Sequence, residues 1–146
     1  MKKIVTMLAL AFALSLVVAS LGFAARTSTI HVAATLNAKQ EVPKQVVKDT
    51  KAKGRFTGTL VGRKLTWKLT FSGLTGQATA AHLHLGKAGV AGNVIVPLCA
   101  PCKSGAHGKT TVSAAVKKAL AHHKVYVNVH TAKNPNGEIR GQVAEM

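Results

Sequence analysis

The chain has 146 residues, 47% hydrophobic and 16% charged, with Lys+Arg 20 against Asp+Glu 4. Such a length fits one domain and excludes a large two-domain enzyme. The apolar content excludes a disordered chain, and two cysteines are too few for a disulfide-stapled miniprotein.

The N-terminus has the pattern of a secretory signal. Lys2 and Lys3 precede an uncharged stretch over residues 4–25, with a dense apolar centre at 8–18. Gly22-Phe23-Ala24 places small residues where a signal peptidase reads, so cleavage is expected after Ala24. Residues 1–24 are thus read as the signal, 25–29 as a short linker and 30–146 as the domain. The competing reading, an uncleaved anchor, rests on the length of the apolar stretch. No cysteine lies near the exit for lipidation and no second apolar run follows. The expected location is secreted, periplasmic or cell-surface, with no transmembrane segment after cleavage.

Loss of Lys2 and Lys3 lowers the net charge of +16 by only two. Charge of that size draws a protein toward anionic partners, here acidic polysaccharide or a lipid surface. The sparse aromatics and absent recognition motifs argue against nucleic acid. Oligomeric state is not readable from the sequence.

Along the rest of the chain, short strands are expected at residues 30–36, 55–61, 65–71, 78–85, 94–98, 125–131 and 138–143. The clearest pair is joined through Gly62-Arg63. In its second strand Leu65, Trp67, Leu69 and Phe71 alternate with Thr66, Lys68 and Thr70, so one face is buried and the other wet. Residues 113–123 break the pattern: Val116, Ala119 and Leu120 stand at helical spacing, and Ser113 is a ready N-cap. Residues 103–109, rich in Gly and Lys, read as a loop. The fold class expected is all-β: an antiparallel β-sandwich of about seven strands, similar to immunoglobulin or superoxide-dismutase sandwiches, with one short crossover helix.

Asn134-Pro135-Asn136-Gly137 predicts a three-residue hairpin loop closed by a glycine bulge. That loop sets Asn134 opposite Glu138, Ala132 opposite Arg140 and His130 opposite Gln142. Val127, Val129, Ile139, Gly141 and Val143 then share the inner face. His130, Glu138, Arg140 and Gln142 share the outer one.

His82 and His84 are two apart on a strand, so their imidazoles leave one face about 7 Å apart, while Ala81, Leu83 and Leu85 face the core. Neutral imidazole is a good ligand for copper, zinc or nickel. His130 makes a three-histidine metal site if its strand is the neighbour. The alternative is that His82 and His84 are hydrogen-bonded residues tying the sheet to the loop at 86–92. His31, His107, His122 and His123 lack companions and are expected in solvent.

Cys99 and Cys102 lack the thioredoxin-like setting of a redox motif, and in an oxidising compartment they predict a small structural disulfide. Hydrolase chemistry finds no support: Glu41, Asp49, Glu138 and Glu145 show no pairing, and no nucleophile elbow or phosphate loop is present. Glu138 and Arg140, with Gln142, are read as a surface ion pair or as support for the histidines. No catalytic residue is assigned, and the chain is read as more binding protein than enzyme.

Four blocks carry a family resemblance. Residues 37–43 (NAKQEVP), Gly73-Leu74 leading to 80–84 (AAHLH), 126–131 (YVNVHT) and 134–142 (NPNGEIRGQ) occur in an order that resembles the chordin-type (CHRD) domain. The resemblance implies an extracellular, mostly β domain with no established enzymatic activity. A weaker likeness, in the His-x-His pair and the later strand histidine, is to the copper half of copper–zinc superoxide dismutase. It implies copper-like ligands at His82, His84 and His130, but no counterpart is found for the bridging histidine or the zinc ligands. The function expected is therefore a non-catalytic exported binding or structural module, or else a copper- or zinc-binding protein built on those three histidines.

Overall fold

A computed structural model describes residues 27–47 and 51–146; the expected signal segment lies outside the described residues. Strand β1 (Thr29–Asn37) leads through a single 3-10 turn (Ala38–Gln40) toward the long pair β2 (Lys53–Val61) and β3 (Lys64–Ser72). Next come β4 (Ala78–Leu85), β5 (Val94–Cys99), β6 (Ala106–Thr111), helix α1 (Ala114–Ala121), β7 (Val125–Thr131), β8 (Ile139–Gln142) and the short β9 (Ala144–Glu145). All pairings are antiparallel, in the order β5-β4-β7-β8-β1-β2-β3-β6 with β9 on β1. The all-β antiparallel architecture with one short helix is the expected one. Its layers belong to a single nearly closed, barrel-like sheet.

Period-two alternation builds the core. In β3, Leu65, Trp67 and Leu69 point inward and are at most 6% exposed, while Lys64, Thr66, Lys68 and Thr70 are exposed. Phe56, Leu60, Val32 and Leu36 from β2 and β1 meet Leu83, Val127, Val129, Ile139 and Val143 from the other half of the sheet. Each of these larger side chains contributes about 1.5–3 kcal/mol by leaving water. The β2–β3 turn is the two-residue Gly62-Arg63 loop, with Gly62 at φ +62°, a left-handed conformation favoured by glycine.

Nine strands replace the seven expected. The segment read as a loop contains β6, which pairs with the outer side of β3 from Leu69↔Ala106 to Lys64↔Thr111. Its polar, Gly-containing sequence hides the strand, because β6 is an edge with little to bury. The helix forms as expected: Val116 N–H donates to Ser113 Oγ at 3.1 Å, and Val116, Ala119 and Leu120 are buried. It carries the chain from β6 at one margin of the sheet to β7 in its interior. Leu85, expected in the core, is 46% exposed. It is the last residue of β4, beyond a register slip against β5 between Leu83 and His84.

The last hairpin differs in register. Gln142 pairs with Tyr126, Arg140 with Asn128 and Ile139 with Val129, so the partners expected for Arg140 and Gln142 are each displaced by four residues. A four-residue displacement preserves side-chain parity, and the aliphatic residues still face the core. The expected turn is present, with Gly137 N–H donating to Asn134 O at 3.1 Å, but it sits inside a wider loop. Side chains hold that loop: Glu138 accepts from Thr75 N–H and Thr75 Oγ1–H, each at 2.6 Å, and from Thr131 Oγ1–H at 2.7 Å. Asn134 bonds both backbone groups of Val47.

A candidate metal centre on the outer face of the sheet

β4 and β7 are neighbours in the register Ala80↔His130, His82↔Asn128 and His84↔Tyr126. Strand parity therefore gathers His82, His84 and His130 on one face, opposite the aliphatic core. This face was expected to be wet, yet His84 and His130 are only 8% and 9% exposed, and His82 is half-buried. Two loops supply much of the cover. His84 Nδ1 lies 3.0 Å from Gly92 O, and His130 Nδ1 lies 2.9 Å from Pro135 O.

Those bonds fix the chemistry of the rings. A carbonyl only accepts, so His84 and His130 carry their protons on Nδ1 and keep the Nε2 lone pairs free. His130 Nε2 accepts from His82 Nδ1–H at 3.1 Å, while His84 Nε2 is buried with no partner. One ligand nitrogen from each residue lies within 4.8 Å of the others. Burial lowers all three basicities, that of His130 to about 4. At neutral pH the cluster is three uncharged imidazoles: His84 and His130 aim Nε2 lone pairs into it, and His82 adds a third once Nδ1 gives up its proton, the donor set that binds copper or zinc. Backbone carbonyls on the far ring nitrogens are the usual supports of a metal-binding histidine.

A second layer holds the cluster. His84 stacks on Tyr126 with ring centroids 4.8 Å apart, and the Tyr126 hydroxyl accepts from Gly92 N–H at 3.1 Å. The Arg140 guanidinium lies 3.5 Å from the Tyr126 ring centroid and donates through Nη2 to Lys87 O and Val90 O, both at 2.9 Å. Gln142 Nε2–H bonds Gly86 O and Val125 O at 2.9 Å. Arg140 and Gln142 thus clamp the 86–92 loop that carries Gly92.

The expected surface ion pair of Glu138 and Arg140 is corrected. Both residues are buried, at 0% and 1% exposure, and they bond different loops. The arginine bonds two carbonyls through Nη2 and lies on an aromatic face, while its Nη1 is buried without a partner; the desolvated glutamate accepts from hydroxyls and an amide. Cys99 and Cys102 are joined as a disulfide with Cα atoms 5.2 Å apart, at the end of β5, where Cys99 pairs with the buried Ala81. His31, His107, His122 and His123 are exposed.

Glu41 has no role in the sequence reading, but it is fully buried beside this layer. Its Oε2 accepts from Asn128 Nδ2–H at 3.1 Å, and desolvation raises its pKa to about 7 despite the Asn128 bond and the Arg140 charge. Gly137 packs against both Glu41 and Asn128, leaving no room for a Cβ. The parity of β7 signals Tyr126 and Asn128, which must share the face of His130. Nothing local signals Glu41, because its partner is 87 residues away.

Fold and site together define a small β-barrel-like binding domain whose outer face carries a covered polar cluster. The chain matches the CHRD domain over residues 32–143 and belongs to the CHRD-domain family. No curated protein and no solved structure matches it. Domains of this family occur in extracellular or periplasmic proteins. No helix among the described residues is long and apolar enough to cross a membrane.

Proposed function

We propose that this protein is an exported copper-binding module, holding the ion on His82, His84 and His130. The carrying observation is the convergence of the three ligand nitrogens, with two rings oriented by backbone carbonyls. Copper stands above zinc for such a set in the general order of divalent affinities. Residues 1–24 support export by their charge and apolar pattern.

Titration of the purified protein with Cu(II), and with Cu(I) under reducing conditions, tests the reading. At a hundredfold excess over Kd, a site confined to the folded state stabilises by about 3 kcal/mol. His84→Ala should remove that gain. An equal gain in His84→Ala, or none in the wild type, overturns the reading.

The contact between His82 and His130 favours a second reading, in which the rings simply pin β4 to β7 within a non-catalytic binding module. This reading predicts no metal-dependent stabilisation.

A further inference from the structure

The outer face of β1, β2, β3 and β6 lies apart from the histidine cluster and has a composition of its own. Cross-strand register sets Arg55 beside Thr70, Thr57 beside Lys68, Thr66 beside Lys109 and Val61 beside Lys64. Five cations, Lys53, Arg55, Lys64, Lys68 and Lys109, are exposed there with threonines between them. No acid among the described residues shares the face. Glu41 and Glu138 are fully buried, and the one exposed acid among the described residues, Glu145, pairs with the inward-facing Val32.

Three shallow depressions follow one another along this face. One of about 310 Å³ is bordered by Lys53, Arg55 and Thr70. The next, about 320 Å³, lies among His31, Thr59, Lys68 and His107. The third, about 510 Å³, is bordered by Lys64, Lys109 and Thr111. From Lys53 to Val61 the track runs roughly 26 Å at the rise of an extended strand.

We infer that this track binds a linear acidic polysaccharide. Its length suits a polymer rather than a compact ligand. Its cations pair with carboxylates, and its threonine hydroxyls can donate to and accept from sugar hydroxyls. A bilayer would require a continuous apolar insertion edge, and among the described residues the track exposes just two large apolar side chains, Val61 and the C-terminal Met146, bordering different depressions. Single-stranded nucleic acid would require exposed stacking rings, whereas Trp67 is buried beneath the sheet.

The test uses the full protein with polygalacturonate as probe, and with neutral dextran, inorganic polyphosphate and phosphatidylglycerol vesicles for comparison. Polygalacturonate should bind at low salt and be released near 1 M salt, where the screening length falls to about 3 Å. Combined K64Q, K68Q and K109Q should weaken binding roughly tenfold or more, as expected when several cations leave a polyelectrolyte contact. K118Q, K124Q and K133Q together remove equal charge elsewhere and should weaken it less than about twofold. Unchanged melting temperatures would show that both variants fold. Equal losses in the two variants, no polygalacturonate binding, or tighter binding to polyphosphate or vesicles would overturn the inference.

Discussion

His82 Nδ1 and His130 Nε2 are 3.1 Å apart, which makes the cluster self-satisfied only on one side: the buried His84 Nε2 has no partner. A metal ion would occupy the lone pairs of all three rings and require His82 Nδ1 to lose its proton. His82→Ala and His130→Ala should each reduce copper affinity by at least about tenfold, corresponding to 1.4 kcal/mol. His31→Ala, at an exposed histidine, should leave it unchanged. Isothermal titration of the four proteins checks this.

Stability should depend on pH through two opposed groups. His130 titrates near 4 in the fold against 6.5 ordinarily, so its contribution is present above pH 6.5 and lost as pH falls toward 4. Glu41 titrates near 7 against 4.5, so its contribution is present below pH 4.5 and lost as pH rises toward 7. Between about pH 4.5 and 6.5 the two slopes oppose each other. Glu41→Gln should leave the histidine slope standing alone. Its stability relative to wild type should rise by roughly 3 kcal/mol from pH 4.5 to above pH 7, measured by urea unfolding.

Arg140→Lys retains the charge but loses the planar fork that reaches two carbonyls while lying on Tyr126. A loss of about 1–3 kcal/mol is expected. Copper affinity should fall with it, because the loosened 86–92 loop also carries the carbonyl that orients His84. Chemical denaturation and copper titration measure the two effects separately.

Gly137→Ala should destabilise by about 2–4 kcal/mol. Gly137 has φ +131°, and a Cβ there would press on the Asn128 amide and the Glu41 carboxyl. Gly76→Ala provides the control, since nothing lies within 4 Å of that position. Comparing their thermal unfolding tests the packing claim; equal melting temperatures would refute it.

The sequence displays most of the fold because its strands bury one face each. The alternation from Leu65 to Phe71, the Gly62-Arg63 turn and the Ser113 cap are local patterns with local causes. The convergence of His82, His84 and His130 is legible in part: parity places each ring, but only the β4–β7 pairing brings them together. The cover over that face is not legible. Glu41, Arg140 and Glu138 look like solvent residues because charged side chains normally are. Their burial depends on Asn128, Lys87, Val90 and Thr75, partners drawn from distant segments, with Thr131 the one near in sequence. Strand β6 escapes detection for the opposite reason, since it buries too little to impose a pattern.

The sheet's path ends at β5 and β6, each six residues long, with no ladder joining them. Pro97 lies within β5 and has no N–H to offer a neighbouring strand. These two margins form a seam in an otherwise hydrogen-bonded wall. Amide protons along the seam should exchange with solvent well before those of β1 and β7, which are paired on both sides. Local breathing of this domain therefore has a built-in starting line, one strand from β4 with His82 and His84 and two from β7 with His130.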